Sequence, residues 1–114
     1  MTEAEAYARL ERLVAPTIEP TLSTVEVQDL LASARRPDGD GVAPSEAAWV
    51  PTWDLDAAAA DGWEIKAGRA AAGYDFGEDS QRFNRSQVHA QCMAMARLYR
   101  RGSGSVRVPS VAAG

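Results

Sequence analysis

His89 and Cys92 stand three residues apart, a spacing that would put an imidazole and a thiol on one face of a helix. Such a pair could hold a metal ion or act as base and nucleophile. The sequence contains one histidine and one cysteine. Two ligands fall short of a structural zinc site, which takes four, and nothing obvious would orient the imidazole. Cys92 therefore reads as a small core hydrophobe and His89 as a surface or interface residue. The carboxylates Asp38, Asp40, Asp54, Asp56, Asp61 and Glu64 do not have EF-hand spacing. A solvated acidic surface accounts for them, with Asp54 and Asp56 suited to a helix start. Gly39-Asp40-Gly41 lacks the strand–turn–helix context and the Lys-Ser/Thr pair of a phosphate loop. No catalytic, cofactor-binding or metal-binding residue is assigned, and no enzymatic activity is expected.

The arginines form the other candidate chemistry. Residues 1–79 hold 16 acidic and six basic side chains, net −10; residues 80–114 hold six basic ones and no acid, net +6. Arg82, Arg85, Arg97, Arg100, Arg101 and Arg107 could contact phosphates. Arginines at a helix C-terminus also suit the helix dipole with no partner at all. A further use is subunit orientation, the basic end of one copy facing the acidic front of its neighbour.

These side chains need a scaffold, and 114 residues is one domain with a small core. Much of the apolar content is alanine, so partner subunits could supply missing burial. The net charge of −4 argues against nucleic-acid binding by the whole surface. A single cysteine excludes an internal disulfide. No apolar run is long enough to span a membrane. The acidic, amphipathic N-terminus is unlike a secretory signal, so synthesis and residence in the cytoplasm, or in an assembly, are expected.

The pattern predicts a mainly α fold, a small bundle of about four helices. Thr2-Glu3-Ala4-Glu5 and Ser23-Thr24-Val25-Glu26 are capping boxes. The first opens a helix to about Val14 with Tyr7, Leu10, Leu13 and Val14 on one face. The second opens a helix with Val27, Leu30, Leu31 and Ala34 on one face, with Arg35-Arg36 at its negative end and Pro37 as its stop. Asp38–Pro51 reads as an acidic loop whose tryptophan, with Trp53, packs back on the body. Asp54 caps a third, alanine-rich helix that puts Leu55, Ala59, Trp63 and Lys66 on one side and ends at Gly73. Its alanines and glycines allow another backbone to come close, as does any ordinary alanine-rich helix. Tyr74-Asp75-Phe76 and Gln81-Arg82-Phe83 around Gly77–Ser80 read as a short β-hairpin. Asn84-Arg85-Ser86-Gln87 then caps a main core helix through Val88, Cys92, Met95, Ala96 and Tyr99, ending at Gly102. Residues 1–101 make the helical domain. Residues 102–114 make a flexible tail, with Val106, Arg107 and Val108 strand-like, that docks on a partner.

Three segments carry a family resemblance: Trp53–Trp63, Lys66–Ala71, and Tyr74-Asp75-Phe76 through Phe83-Asn84-Arg85-Ser86-Gln87 into Cys92–Ala96. Together they resemble the head–tail connector proteins of tailed bacteriophages, also called head-completion or adaptor proteins, over about Val25 to Arg101. The resemblance implies a mostly helical subunit with a small β element. It implies a ring, commonly a dodecamer, below the portal protein in the virion, assembled in the bacterial host cytoplasm. The ring would extend the DNA channel and dock a head-closure (stopper) or tail-terminator protein. DNA would pass without sequence-specific binding. Tyr74, Asp75, Phe76, Arg82, Phe83, Arg85, Arg97, Arg100, Arg101, Val106, Arg107 and Val108 are the expected subunit and portal interface. Tyr74, Phe76 and Phe83 either support the turn or fill a neighbour's groove. The competing reading is a small helical DNA-binding regulator that reads duplex with its last helix.

Overall fold

The computed structural model describes the backbone of residues 1–74 and 79–105, and side chains for residues 1–72 and 86–102. Four helices are present: α1 (Glu3–Val14), α2 (Thr24–Ser33), α3 (Leu55–Tyr74) and α4 (Asp79–Ser105). Both capping boxes form. Glu5 N–H donates to Thr2 Oγ1 and Thr2 N–H to Glu5 Oε1, each at 3.1 Å. Ser23 and Glu26 repeat the exchange at 2.8 and 3.1 Å. Each box satisfies two N–H groups that a bare helix end would leave without partners.

The apolar faces read from the spacing are the ones buried. Leu10 and Val14 of α1 meet Val27, Leu30, Leu31 and Ala34 of the α2 segment, with Ala58 and Ala59 of α3. Each large aliphatic side chain so buried is worth about 1.5–3 kcal/mol. Trp53 is buried and Trp49 half-buried. Their rings meet edge-to-face at 5.9 Å, and Trp49 Nε1 donates to the Arg36 carbonyl at 2.9 Å. The loop thus packs back as its tryptophans require. Its path is organised by Asp38, whose carboxylate accepts from the N–H groups of Asp40, Val42 and Val50.

α3 is the centre of the fold. It contacts α1, α2 and α4, and among the described residues α4 packs on α3 alone. A helix covered on both sides cannot have one narrow apolar stripe, which is why the alanines of α3 run all round it. The last helix is therefore a flanking element, not the main core helix. Of its expected core set, Cys92 and Ala96 are buried, and Val88, Met95 and Tyr99 are half-buried.

The region before α4 differs from the sequence expectation. Gln81, Arg82 and Phe83, expected as a strand, are helical, and Asn84–Gln87 lies inside α4 instead of capping it. Gln81 and Arg82 lose little side-chain freedom in a helix. Asp79 at the first position suits the positive end of the dipole, so helix can begin six residues before Arg85, the first position after the expected cap. Residues 75–78, the middle of the expected hairpin, lie outside the described residues. At the other end α4 continues through Gly102 to Ser105, and residues 106–114 lie outside the description. The strand-like pairing among the described residues is a single antiparallel bridge between Arg35 and Trp53, which closes the α2–α3 loop. α2 itself stops at Ser33, short of Pro37.

Candidate functional site

α3 begins at a side-chain cap, Ala57 N–H donating to Asp54 Oδ1 at 3.1 Å. One face of α3 grips α1. Gly62 is buried there, and a β-carbon at this position would come within 2.8 Å of Val14 Cγ1 and 3.2 Å of Leu30 Cδ1. Trp63 Nε1 donates to the Leu13 carbonyl at 2.9 Å. Lys66 is fully buried. Its Nζ donates to the Val14 and Ala15 carbonyls at 2.8 and 2.7 Å and lies 4.4 Å from the Trp63 ring centre. These carbonyls belong to the last residue and the cap of α1, where the helix leaves acceptors without partners and the dipole is negative. Burial pushes the Lys66 pKa down, and the nearby Cys92 partly opposes that. Burial likewise raises the Cys92 thiol, with Lys66 pulling it back. The thiol is held protonated and enclosed, the opposite of a reactive cysteine. His89 is half-buried and lies with Met93, Ser86, Arg97 and Ala71 along a groove of about 460 Å³ between α3 and α4.

A second face carries ion pairs. Arg69 donates to both oxygens of Glu26 and, at 2.7 Å, to the Thr21 carbonyl. Those bonds, together with the Ser23 cap, hold the Glu26 carboxyl down at about 2. Arg100 of α4 donates to Asp61 Oδ1 at 2.8 Å and Glu64 Oε1 at 2.7 Å on α3, which raises its pKa further. The charge asymmetry of the chain is thus used, in part, inside one copy.

Of the expected interface residues, Arg97 and Arg101 are exposed on α4, and Arg100 is committed to α3. Tyr74 is the last residue of α3. Arg82, Phe83 and Arg85 lie on the first turns of α4, with side chains outside the described residues. Asp75, Phe76, Val106, Arg107 and Val108 lie outside the described residues altogether.

The pattern does not reveal Lys66 as a buried cap, although a lysine on the face of Leu55, Ala59 and Trp63 is a signal that it must find acceptors. Nor does it reveal a cleft of about 780 Å³ beside the start of α3, lined by Arg9 and Arg12 of α1, Arg36, Trp53, Asp56 and Gly102 among others. Arg35 does serve α2, Nε donating to the Ala32 carbonyl at 3.1 Å. Arg36 is among the residues that line the cleft. Among the described residues no group of three or more His, Cys, Asp or Glu could hold a metal ion, and no helix is long and apolar enough to cross a membrane. No family model, curated protein or solved structure matches this chain.

Proposed function

We propose that this chain is a noncatalytic structural subunit of a tailed-phage or prophage particle, a head–tail connector that works by forming a ring below the portal. The reading rests on the resemblance of its Trp53–Ala96 segments to that family. The observation that carries it is the position of α4. A helix of 27 residues, about 40 Å long, packs among the described residues on α3 alone. Between Ser86 and Arg101, among the described residues, its far side has Gln91, Ala94 and Leu98 exposed and offers a surface to another chain. In the ring the faces of α3 and α4, the segment between them and the residues after Ser105 make the subunit contacts. The channel passes DNA without gripping it. The next head-closure or tail component docks on the ring.

Sedimentation velocity and negative-stain imaging of the purified chain, alone and mixed with a portal protein, test this. A discrete high-order ring with little sequence preference for DNA is expected. A small dimer that binds one specific duplex would replace the connector with the regulator reading. Turnover of a small substrate by purified protein would remove it.

A further inference from the structure

α2 and α4 leave opposite charges uncovered. α2 carries two acids, Glu26 and Asp29, and no base. From Ser86 to Arg101, α4 carries Arg97, Arg100 and Arg101 and no acid. One charge on each helix is taken within the copy, Glu26 by Arg69 and Arg100 by Asp61 and Glu64. Asp29 remains on α2, with Glu19 on the connector before it, and Arg97 and Arg101 remain on α4. All four are exposed, and none forms an ion pair among the described residues.

The remaining charges stand beside exposed aliphatic side chains. Leu98, next to Arg97 and one turn before Arg101, is 54% exposed. Val25, one turn before Asp29, is 62% exposed, and Ile18, next to Glu19, is 65% exposed. An exposed aliphatic residue standing singly needs no partner; these three coincide with the unpaired charges. The two rows also match in length. Val25, Asp29 and Ala32 fall at i, i+4, i+7 on the side of α2 away from Val27, Leu30 and Leu31, along a helix about 15 Å long. Ala90, Ala94, Leu98 and Arg101 fall at i, i+4, i+8, i+11 on the side of α4 away from Cys92 and Ala96, along about 16 Å.

α2 and α4 both pack on α3 and do not contact each other among the described residues. Their outer faces turn away from the body, so one copy cannot bring its own two faces together. A second copy offers each face its complement. We propose that the Arg97–Leu98–Arg101 face of α4 in one copy docks on the Val25–Asp29 face of α2, with Ile18 and Glu19, in the next. This contact deepens the ring reading and rests on it. It joins two different patches, so it is head-to-tail, the kind that closes into a ring when the rotation fits. The charges orient the docking helices more than they add affinity.

Charge reversal on each helix tests the contact. One variant is Arg97→Glu/Arg101→Glu and the other is Glu19→Lys/Asp29→Lys, each checked for helical circular dichroism. Wild-type self-association, followed by sedimentation velocity across concentration and salt, should weaken as salt rises. Either variant alone sets like charges face to face and should weaken it at least about tenfold. Mixing the two variants should restore it, because every contact between alternating copies then joins opposite charges. Leu98→Ser, which changes no charge, should also weaken it and keeps the test valid if one reversal misfolds. Wild-type assembly that none of the variants changes overturns this contact and leaves the ring reading standing. Reversals that weaken assembly without rescue on mixing overturn it as well, since the charges then serve separate contacts. A wild type that stays monomeric overturns it, with the ring reading then decided by the portal mixture. A two-fold dimer that grows no further overturns both. Binding of a short DNA duplex that Arg97→Glu/Arg101→Glu abolishes, with self-association unchanged, overturns it and assigns those arginines to phosphates.

Discussion

Lys66 Nζ donates to the Val14 carbonyl at 2.8 Å, joining the middle of α3 to the end of α1 across 52 positions of sequence. The same nitrogen takes the carbonyl of Ala15, which sits in the left-handed region at φ 46°. A non-glycine residue there costs roughly 1–2 kcal/mol, and the lysine helps hold it. Replacing Lys66 with methionine keeps the length of the stem and removes the donors. It also removes a buried charge, which is a gain. The buried Val14 carbonyl loses its partner, at about 1–3 kcal/mol, while the half-buried Ala15 carbonyl keeps the Ile18 N–H at 3.1 Å. We expect a net loss of about 1–3 kcal/mol in urea unfolding, with α1 amides exchanging first. Unchanged stability would mean that water can replace the ammonium.

Gly62 and Gly68 should respond oppositely to alanine. At Gly62 the new β-carbon meets Val14 and Leu30, two side chains in the core. Overpacking of this kind costs roughly 1–3 kcal/mol, against a propensity gain of about 1 kcal/mol. Gly62→Ala should therefore lower stability, by up to about 2 kcal/mol. Nothing lies within 4 Å of a β-carbon at Gly68, so Gly68→Ala should raise it by about 0.5–1 kcal/mol. Thermal unfolding of the two variants side by side decides the matter. Equal shifts would place the α1–α3 contact elsewhere.

Glu26 makes stability depend on acid. Its carboxyl titrates at about 2 in the fold, against an ordinary value of 4.5. The stabilising contribution is thus complete above 4.5 and disappears as pH falls through the folded value. Glu26→Gln should be less stable than wild type at neutral pH, and the gap should close as the pH approaches 2. Urea midpoints for both proteins across that range measure it. A gap that stays constant would show that the Arg69–Glu26 pair does not exist in solution.

Asp38 is expected to control the α2–α3 loop locally. Its carboxylate accepts three backbone N–H groups, and those bonds lower its pKa. Asp38→Ala should speed hydrogen exchange at Asp40, Val42 and Val50 by about tenfold or more and leave α1 and α3 amides protected. Equal acceleration across the core would instead make this loop part of the global folding unit.

Local order was written in nearest neighbours. Thr2-x-x-Glu5 and Ser23-x-x-Glu26 cap their helices, Val27, Leu30, Leu31 and Ala34 face the core, and Trp49 and Trp53 pin the loop, because each depends on residues a few positions apart. The error before α4 has the same origin. Aromatic residues around Gly77–Ser80 mimic a hairpin, and Asn84-x-x-Gln87 mimics a cap, yet Gln81–Phe83 are equally at home in a helix. What tertiary structure alone decided is which helix is central and where the charges go. No local pattern reports that Lys66 closes α1, that Arg100 is bound to Asp61 and Glu64, or that Arg9, Arg12 and Arg36 share a cleft. Those relationships span tens of residues and arise from the close approach of backbones at Gly62 and along α3, which only the packed chain defines.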